Sequence, residues 1–160
     1  MRRYQFLIVA AVIALDRLTK WLVIRHLPEA HEIPVIPGLF QLSHWENTGA
    51  AFSMFADSSS PWRTLGLIGF AVAALLVVGF LLWKSGSALN AITLALALIM
   101  GGASGNLWDR VTRGTVTDFL DFYIGQHHWP PFNVADSAIV VGSLLLMWKI
   151  MLGPRRDPER

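Results

Sequence analysis

The chain has 160 residues, 54% of them hydrophobic and only 15% charged, with a mean hydropathy of +0.48. Soluble domains carry about 25% charged residues, so this composition excludes a soluble multi-domain protein and a disordered one, and leaves a small membrane protein. Cysteine is absent, which removes disulfides, thiolate metal sites and cysteine nucleophiles, and a net charge of +2 gives no footprint for a nucleic-acid partner.

A membrane span takes about 20 mostly apolar residues. The first candidate helix, about 4–24, holds Asp16, Arg17 and Lys20 within its apolar run. A cleaved signal peptide is the competing reading, because Met1-Arg2-Arg3 precedes an apolar stretch. No small-x-small cleavage site precedes Asp16, and apolar residues resume at Trp21-Leu22-Val23-Ile24, so a retained helix is expected. In the connection 25–62, the run Ile33-Pro34-Val35-Ile36-Pro37-Gly38-Leu39-Phe40-Gln41-Leu42 mixes β-branched residues with prolines and reads as short edge strand. Asn47-Thr48-Gly49 signals a turn. Ala50-Ala51-Phe52-Ser53-Met54-Phe55 is apolar enough to lie against a membrane surface or to pack over helix ends. Residues 64–83 carry no charge and form a second span. After the tight turn Lys84-Ser85-Gly86-Ser87, a third span is expected over about 88–107. A second outer connection covers 108–134, and a fourth span, about 136–152, is interrupted only by Lys149, whose stem reaches the interface. No repeat and no linker divides the chain, so residues 1–160 are expected to form one membrane-embedded domain.

Basic residues near helix ends orient the spans. Arg2, Arg3, Lys84, Lys149, Arg155 and Arg156 fall on one side, against Arg25, Arg63, Arg110 and Arg113 on the other. The expected architecture is therefore an all-α membrane protein of four transmembrane helices, both termini cytoplasmic, with a small β-containing segment on the outer face. Carboxylates in or beside a span are costly and tend to be functional. Asp16, Asp109, Asp118, Asp121 and Asp136 all converge on the outer boundary in this topology. Each also has a structural reading. Asp16 and Lys20 are four apart and can pair on one helix face, Asp109 can join Arg110 and Arg113, and Asp136 can cap a helix. Asp118 and Asp121 read equally as solvated loop acids.

Two carboxylates held close cannot both ionise easily, so one keeps a proton while the other activates water. Spacing alone leaves open which acids pair. Gly102-Ala103-Ser104-Gly105 fits the string of intramembrane serine proteases, but no histidine is expected within a helix to serve as base. A zinc site built from His127, His128, Asp118 and Asp136 lacks ligand-type spacing at its adjacent histidines.

Several blocks, taken in order, resemble the bacterial lipoprotein signal peptidases (signal peptidase II). Gly105-Asn106-Leu107-Trp108-Asp109-Arg110 followed by Gly114-Thr115-Val116-Thr117-Asp118-Phe119 is similar to that family's G-N-x-x-D-R-x-x-x-G-x-V-x-D-F signature. Phe132-Asn133-Val134-Ala135-Asp136 matches its F-N-x-A-D block, Asp16 to Lys20 its D-x-x-x-K, and Asn47-Thr48-Gly49-Ala50-Ala51-Phe52 its N-T-G-A-A-F. No motif position departs from the pattern. The resemblance implies an aspartic endopeptidase of the bacterial inner membrane, with its site on the periplasmic side. Its substrates would be diacylglyceryl-modified prolipoproteins, cut immediately before the lipidated cysteine. It assigns Asp118 and Asp136 as the catalytic pair, with Asp16, Lys20, Asn47, Asn106, Asp109, Arg110, Asn133 and Ala135 supporting the site or contacting substrate. It implies the cyclic peptide globomycin as inhibitor; no cofactor and no metal are expected, membrane lipids surround the chain, and four helices can enclose a site in a monomer. The reading outside this family is a non-enzymatic transporter or chaperone-like subunit that uses its acids as a proton relay; the acids lie off the midplane and no halves repeat, which counts against it.

Overall fold

The structure is a computed structural model that describes residues 3–49 and 61–152. The apolar segment Ala50 to Phe55 and the terminal arginines Arg2, Arg155 and Arg156 lie outside the described residues. The elements run α1 (Arg3–His26), β1 (Glu32–Ile36), β2 (Phe40–Asn47), α2 (Pro61–Lys84), α3 (Ala91–Arg113), β3 (Val116–Ile124), β4 (His127–His128) and α4 (Val134–Leu152).

Among the described residues three stretches are long and apolar enough to cross a membrane: Thr64–Lys84, Ala91–Arg113 and Val134–Leu152. The 24-residue α1 is long enough too, but Asp16, Arg17 and Lys20 lower its apolarity. The side chains of Asp16 and Lys20 are nonetheless fully buried. α3 is the central helix and packs against α1, α2 and α4.

The third helix is longer than the expected 88–107 and starts later, and both ends have local causes. Asn90 accepts the Ile92 and Thr93 backbone N–H groups at 2.9 and 3.0 Å, while the Asn90 N–H donates to Thr93 Oγ1 at 2.9 Å, a reciprocal capping box. At the far end Gly114 takes φ +77°, the left-handed conformation that closes a helix, and its N–H donates to the Arg110 carbonyl. Asp109, Arg110 and Arg113 therefore stand on a helix and not in a loop. The fourth helix starts at Val134, two residues ahead of expectation, because Asn133 caps it. His26 closes α1, so a histidine does end a helix; its Nδ1 lies 2.9 Å from the Leu22 carbonyl.

Close approach of α3 and α4 requires glycine. A Cβ on Gly102 would lie 2.3 Å from the Ala135 carbonyl oxygen, and one on Gly142 2.7 Å from the Ala95 carbonyl oxygen. The obstacles are backbone, so the helices must part to admit even a methyl group. Gly102→Ala is expected to cost about 1–3 kcal/mol, the usual range for overpacking. A lowered thermal midpoint in detergent checks it, and an unchanged midpoint contradicts the packing.

The four strands form one antiparallel succession in the order β1-β2-β3-β4. The run Ile33–Leu42 is divided into a hairpin: β1 ends at Ile36, Gly38 turns the chain at φ +81°, and β2 starts at Phe40. β1, with Pro34, is the edge strand. β3 was read from sequence only as an outer connection; here it is the strand that carries both Asp118 and Asp121. Val23 of α1 and Leu27 just past its end bury against Phe119 of β3, joined by Leu42, Leu120 and Val134. Burial of one such side chain stabilises by about 1.5–3 kcal/mol, and this cluster seats the sheet over the end of α1. At the opposite end Gln5, also buried, donates from Nε2 to the Gly86 carbonyl at 3.0 Å and ties α1 to the α2–α3 turn.

Candidate active site

Asp118 comes from the first half of β3 and Asp136 from the first turn of α4. Asp118 accepts Asn47 Nδ2 at 2.9 Å on one oxygen and Asn133 Nδ2 at 2.7 Å on the other. Asp136 accepts Asn106 Nδ2 at 2.7 Å and the Asn133 backbone N–H at 3.2 Å, and its own N–H donates to Asn133 Oδ1 at 2.9 Å. Asn133 thus caps α4 with one amide atom and holds Asp118 with the other. One fully buried asparagine is bonded to both carboxylates. Asp118 is buried and Asp136 half-buried. Burial, then the adjacent Asp136 charge, pushes the Asp118 carboxyl up to about 7; the Asn47 and Asn133 amides and the Lys20 charge oppose this.

Beneath the pair lies a charge network centred on Lys20. Its Nζ donates to Asp16 Oδ2 at 2.8 Å and Asn106 Oδ1 at 2.9 Å, and pairs with Asp109 Oδ2 at 2.8 Å. Because Lys20 occupies the Asn106 carbonyl oxygen, the Asn106 amide must present its N–H groups toward Asp136. Asp16 uses its second oxygen to accept the Ala135 N–H at 3.0 Å, at the start of α4, where a carboxylate also meets the favourable end of the helix dipole. Asp109 is further paired with Arg17 and, at 3.1 Å, with Arg113. A Cβ on Gly105 would sit 2.7 Å from Asp16 Oδ2, so glycine there admits the carboxylate between α1 and α3.

All ten residues singled out from the sequence fall in or beside this cluster. The Asp16–Lys20 pair and the ion pairs of Asp109 are present, although Arg110 is not among the partners of Asp109. Arg110 instead donates from Nη2 to the Gly49 carbonyl at 3.0 Å and from Nη1 to the Asn106 backbone carbonyl at 3.4 Å, and it feels the charges of Asp136, Asp118 and Asp109 without a direct ion pair. Ala135 contributes its backbone N–H. Asp121 stands apart: Gln41 Nε2 donates to it at 2.7 Å and His128 Nδ1 lies 2.9 Å away. Of the two histidines weighed as zinc ligands with Asp118 and Asp136, His128 is thus turned to a different acid, and among the described residues no group of three or more His, Asp or Glu is arranged to hold a metal. The marked concavity, about 520 Å³ and lined by Leu39, Phe122, Trp129 and Phe132 among others, lies at the far end of β3 from Asp118.

Sequence reasoning overlooked Arg17 and Glu46. Glu46 on β2 accepts Thr117 Oγ1 at 2.8 Å, is bonded by Thr115, and meets Arg113 at 3.3 Å, linking β2, β3 and α3 beside the site. Burial alone would raise its carboxyl, but the bonds from Thr115, Thr117 and His44 and the Arg113 charge hold it below the usual value. An arginine next to Asp16 was the available signal for Arg17; nothing in the sequence around Glu46 marks it.

Comparisons with known proteins bear on this cluster. The family described as Signal peptidase (SPase) II matches residues 8–152. The chain is 48% identical over 150 residues to a protein of Solibacter usitatus named lipoprotein signal peptidase, covering 94% of this chain and 91% of that one. A protein of the same name from Sulfurihydrogenibium is 46% identical over 144 residues, 86% of this chain and 88% of its own. Two solved structures, described as bacterial membrane enzymes determined by the in meso method at 2.3 and 1.9 Å, superpose with TM-scores of 0.83 and 0.82 at 25% and 27% identity. They cover 98% and 95% of this chain and 94% of each of theirs. With its apolar helices and a match over nearly its whole length, the chain belongs to the signal peptidase II family and is an integral membrane peptidase.

Proposed function

We propose that this protein is an aspartic endopeptidase that removes the signal peptide from diacylglyceryl-modified prolipoproteins, cutting before the lipidated cysteine. The observation that carries this reading is the sharing of Asn133 by Asp118 and Asp136, in a chain whose relatives are named lipoprotein signal peptidases. α1 is read as a fourth span, its buried charges neutralised within the bundle, with both termini in the cytoplasm and the aspartates at the periplasmic boundary of the inner membrane. The chain acts as a monomer, and globomycin blocks the aspartate pair.

In the reaction one carboxyl holds a proton and the other is ionised. The ionised group takes a proton from water, and the water oxygen bonds to the scissile carbonyl carbon. As the C–N bond breaks, the protonated carboxyl delivers its proton to the leaving nitrogen, giving a free carboxylate and amine. Asn47, Asn106 and Asn133 stabilise whichever group is ionised and cost no reorganisation, since other bonds fix their orientation. Burial of Asp118 limits the access of bulk water to the pair.

The test is cleavage of a lipidated precursor peptide by purified protein in detergent, beside the same peptide without lipid. Only the lipidated form is expected to be cut, with no ion gradient. Because the proton on the pair is held with a value of about 7 at Asp118, the rate is expected to fall as pH rises through about 7. A folded preparation that does not cut, or a rate that climbs steadily from pH 7 to 9, overturns the reading.

A further inference from the structure

Asp121 is a buried carboxylate that the chemistry above does not use. It binds β2 through Gln41 and β4 through His128, whose ring also stacks on Tyr123 with centroids 5.1 Å apart. A carboxylate is expensive to bury unless it is paired, and this one is paired at a particular place. His128 opens the stretch His128-Trp129-Pro130-Pro131-Phe132 that leads directly into Asn133. Two consecutive prolines fix φ near −65°, so the stretch is stiff. It is laid back along β3 by main-chain bonds: the Trp129 N–H to the Phe122 carbonyl at 2.8 Å, and the Phe119 and Leu120 N–H groups to the Phe132 carbonyl at 3.0 and 2.8 Å. His128 and Asn133 thus stand at the two ends of one stiff, β3-bound stretch.

We propose that the Asp121–His128 pair is a positioning device for catalysis: by clasping the start of this stiff segment to β3, it sets where Asn133 holds the two aspartates. The proposal rests on the reading of Asp118 and Asp136 as the reacting groups. His128 touches no reacting atom; it acts through Asn133. Only its Nδ1, the atom facing Asp121, matters to this role.

That last point gives the test. His128→Asn places an amide where Nδ1 stands, whereas His128→Gln places one nearer to Nε2. On lipidated precursor, His128→Ala is expected to lower kcat about tenfold with KM within about twofold of wild type. His128→Asn is expected to recover most of the loss and His128→Gln little of it. Loosening Asn133 also weakens its donation to Asp118, which favours the ionised form. The fall in rate with rising pH should therefore move to higher pH in His128→Ala. The other groups facing Asp118, namely Asp136 from α4, Arg110 from α3, Lys20 from α1 and Asn47 from β2, are unaltered in this variant. Wild-type kcat in His128→Ala overturns the proposal, as does rescue by glutamine in place of asparagine, which would assign the role to Nε2. A lowered thermal midpoint with the pH profile unmoved also overturns it, since a purely structural clasp would behave so. Asp118→Asn separates the two readings: if it retains cleavage the underlying chemistry fails, and if only His128→Ala retains cleavage the clasp alone fails.

Discussion

Asp118→Asn is expected to lower the cleavage rate by between about a hundredfold and ten-thousandfold, the contribution of a positioned proton donor or acceptor, while the protein still folds. The change is nearly isosteric, and β3 keeps its main-chain pairing with β2. The new amide cannot take a proton from water or hand one to the leaving amine. It also keeps only one oxygen for the two donors Asn47 and Asn133, which will disturb the local bonding. Asp136→Asn is expected to behave alike, its one remaining oxygen being unable to serve both Asn106 and the Asn133 N–H as the carboxylate does. Processing of lipidated precursor at near wild-type rate by either variant would end the assignment. A second readout accompanies the first. A carboxyl whose folded value is raised to about 7 from an unfolded value near 4 is favourable to the fold while protonated, and that benefit is lost as pH rises from about 4 through about 7. Asparagine does not titrate. The stability of Asp118→Asn relative to wild type should therefore increase across that window, whatever its offset at pH 4.

Lys20→Met is expected to be the most damaging substitution for stability. It removes the cation from two fully buried carboxylates, Asp16 and Asp109, and the donor from Asn106. Breaking a buried ion pair from one side costs about 3–5 kcal/mol, a large part of the total stability of a small domain. Lys20→Arg is no remedy, because the planar guanidinium replaces a compact ammonium in a space closed on all sides. A partial recovery is expected when Lys20→Met is combined with Asp109→Asn, since the second change removes one stranded charge. Chemical or thermal unfolding in detergent measures all three. A Lys20→Met protein within about 1 kcal/mol of wild type would show that the network is worth little.

The apolar runs made α2, α3 and α4 legible, because a span is defined by length and composition alone. The ends of α3 were less so: Asn90 with Thr93 and then Gly114 decide them by local hydrogen bonding and a left-handed backbone, which outrank the edge of the apolar run. β3 was missed as a strand because Asp118 and Asp121, three apart, break the alternation that marks a half-buried strand; each instead faces its own buried partners. Asp118 and Asp136 were identified through resemblance, since no spacing rule links residues 18 apart when a hairpin and a pair of prolines lie between them. Gln41 and Glu46 acquire their partners only in three dimensions, so nothing near them in the chain marks a role, and His128 meets Asp121 rather than a metal.

Asp16 closes the start of α4 from the other end of the chain. During synthesis α1 emerges first and α4 last, so Asp16 waits for the Ala135 N–H until nearly the whole polypeptide has been made. Asp136 and Asn133 arrive together with that same turn. A chain interrupted anywhere before it holds Asp118 without Asp136 and without the asparagine bonded to both, and on the proposed assignment it is expected to be inactive. Closure of the helix bundle and assembly of the aspartate pair are thus one event.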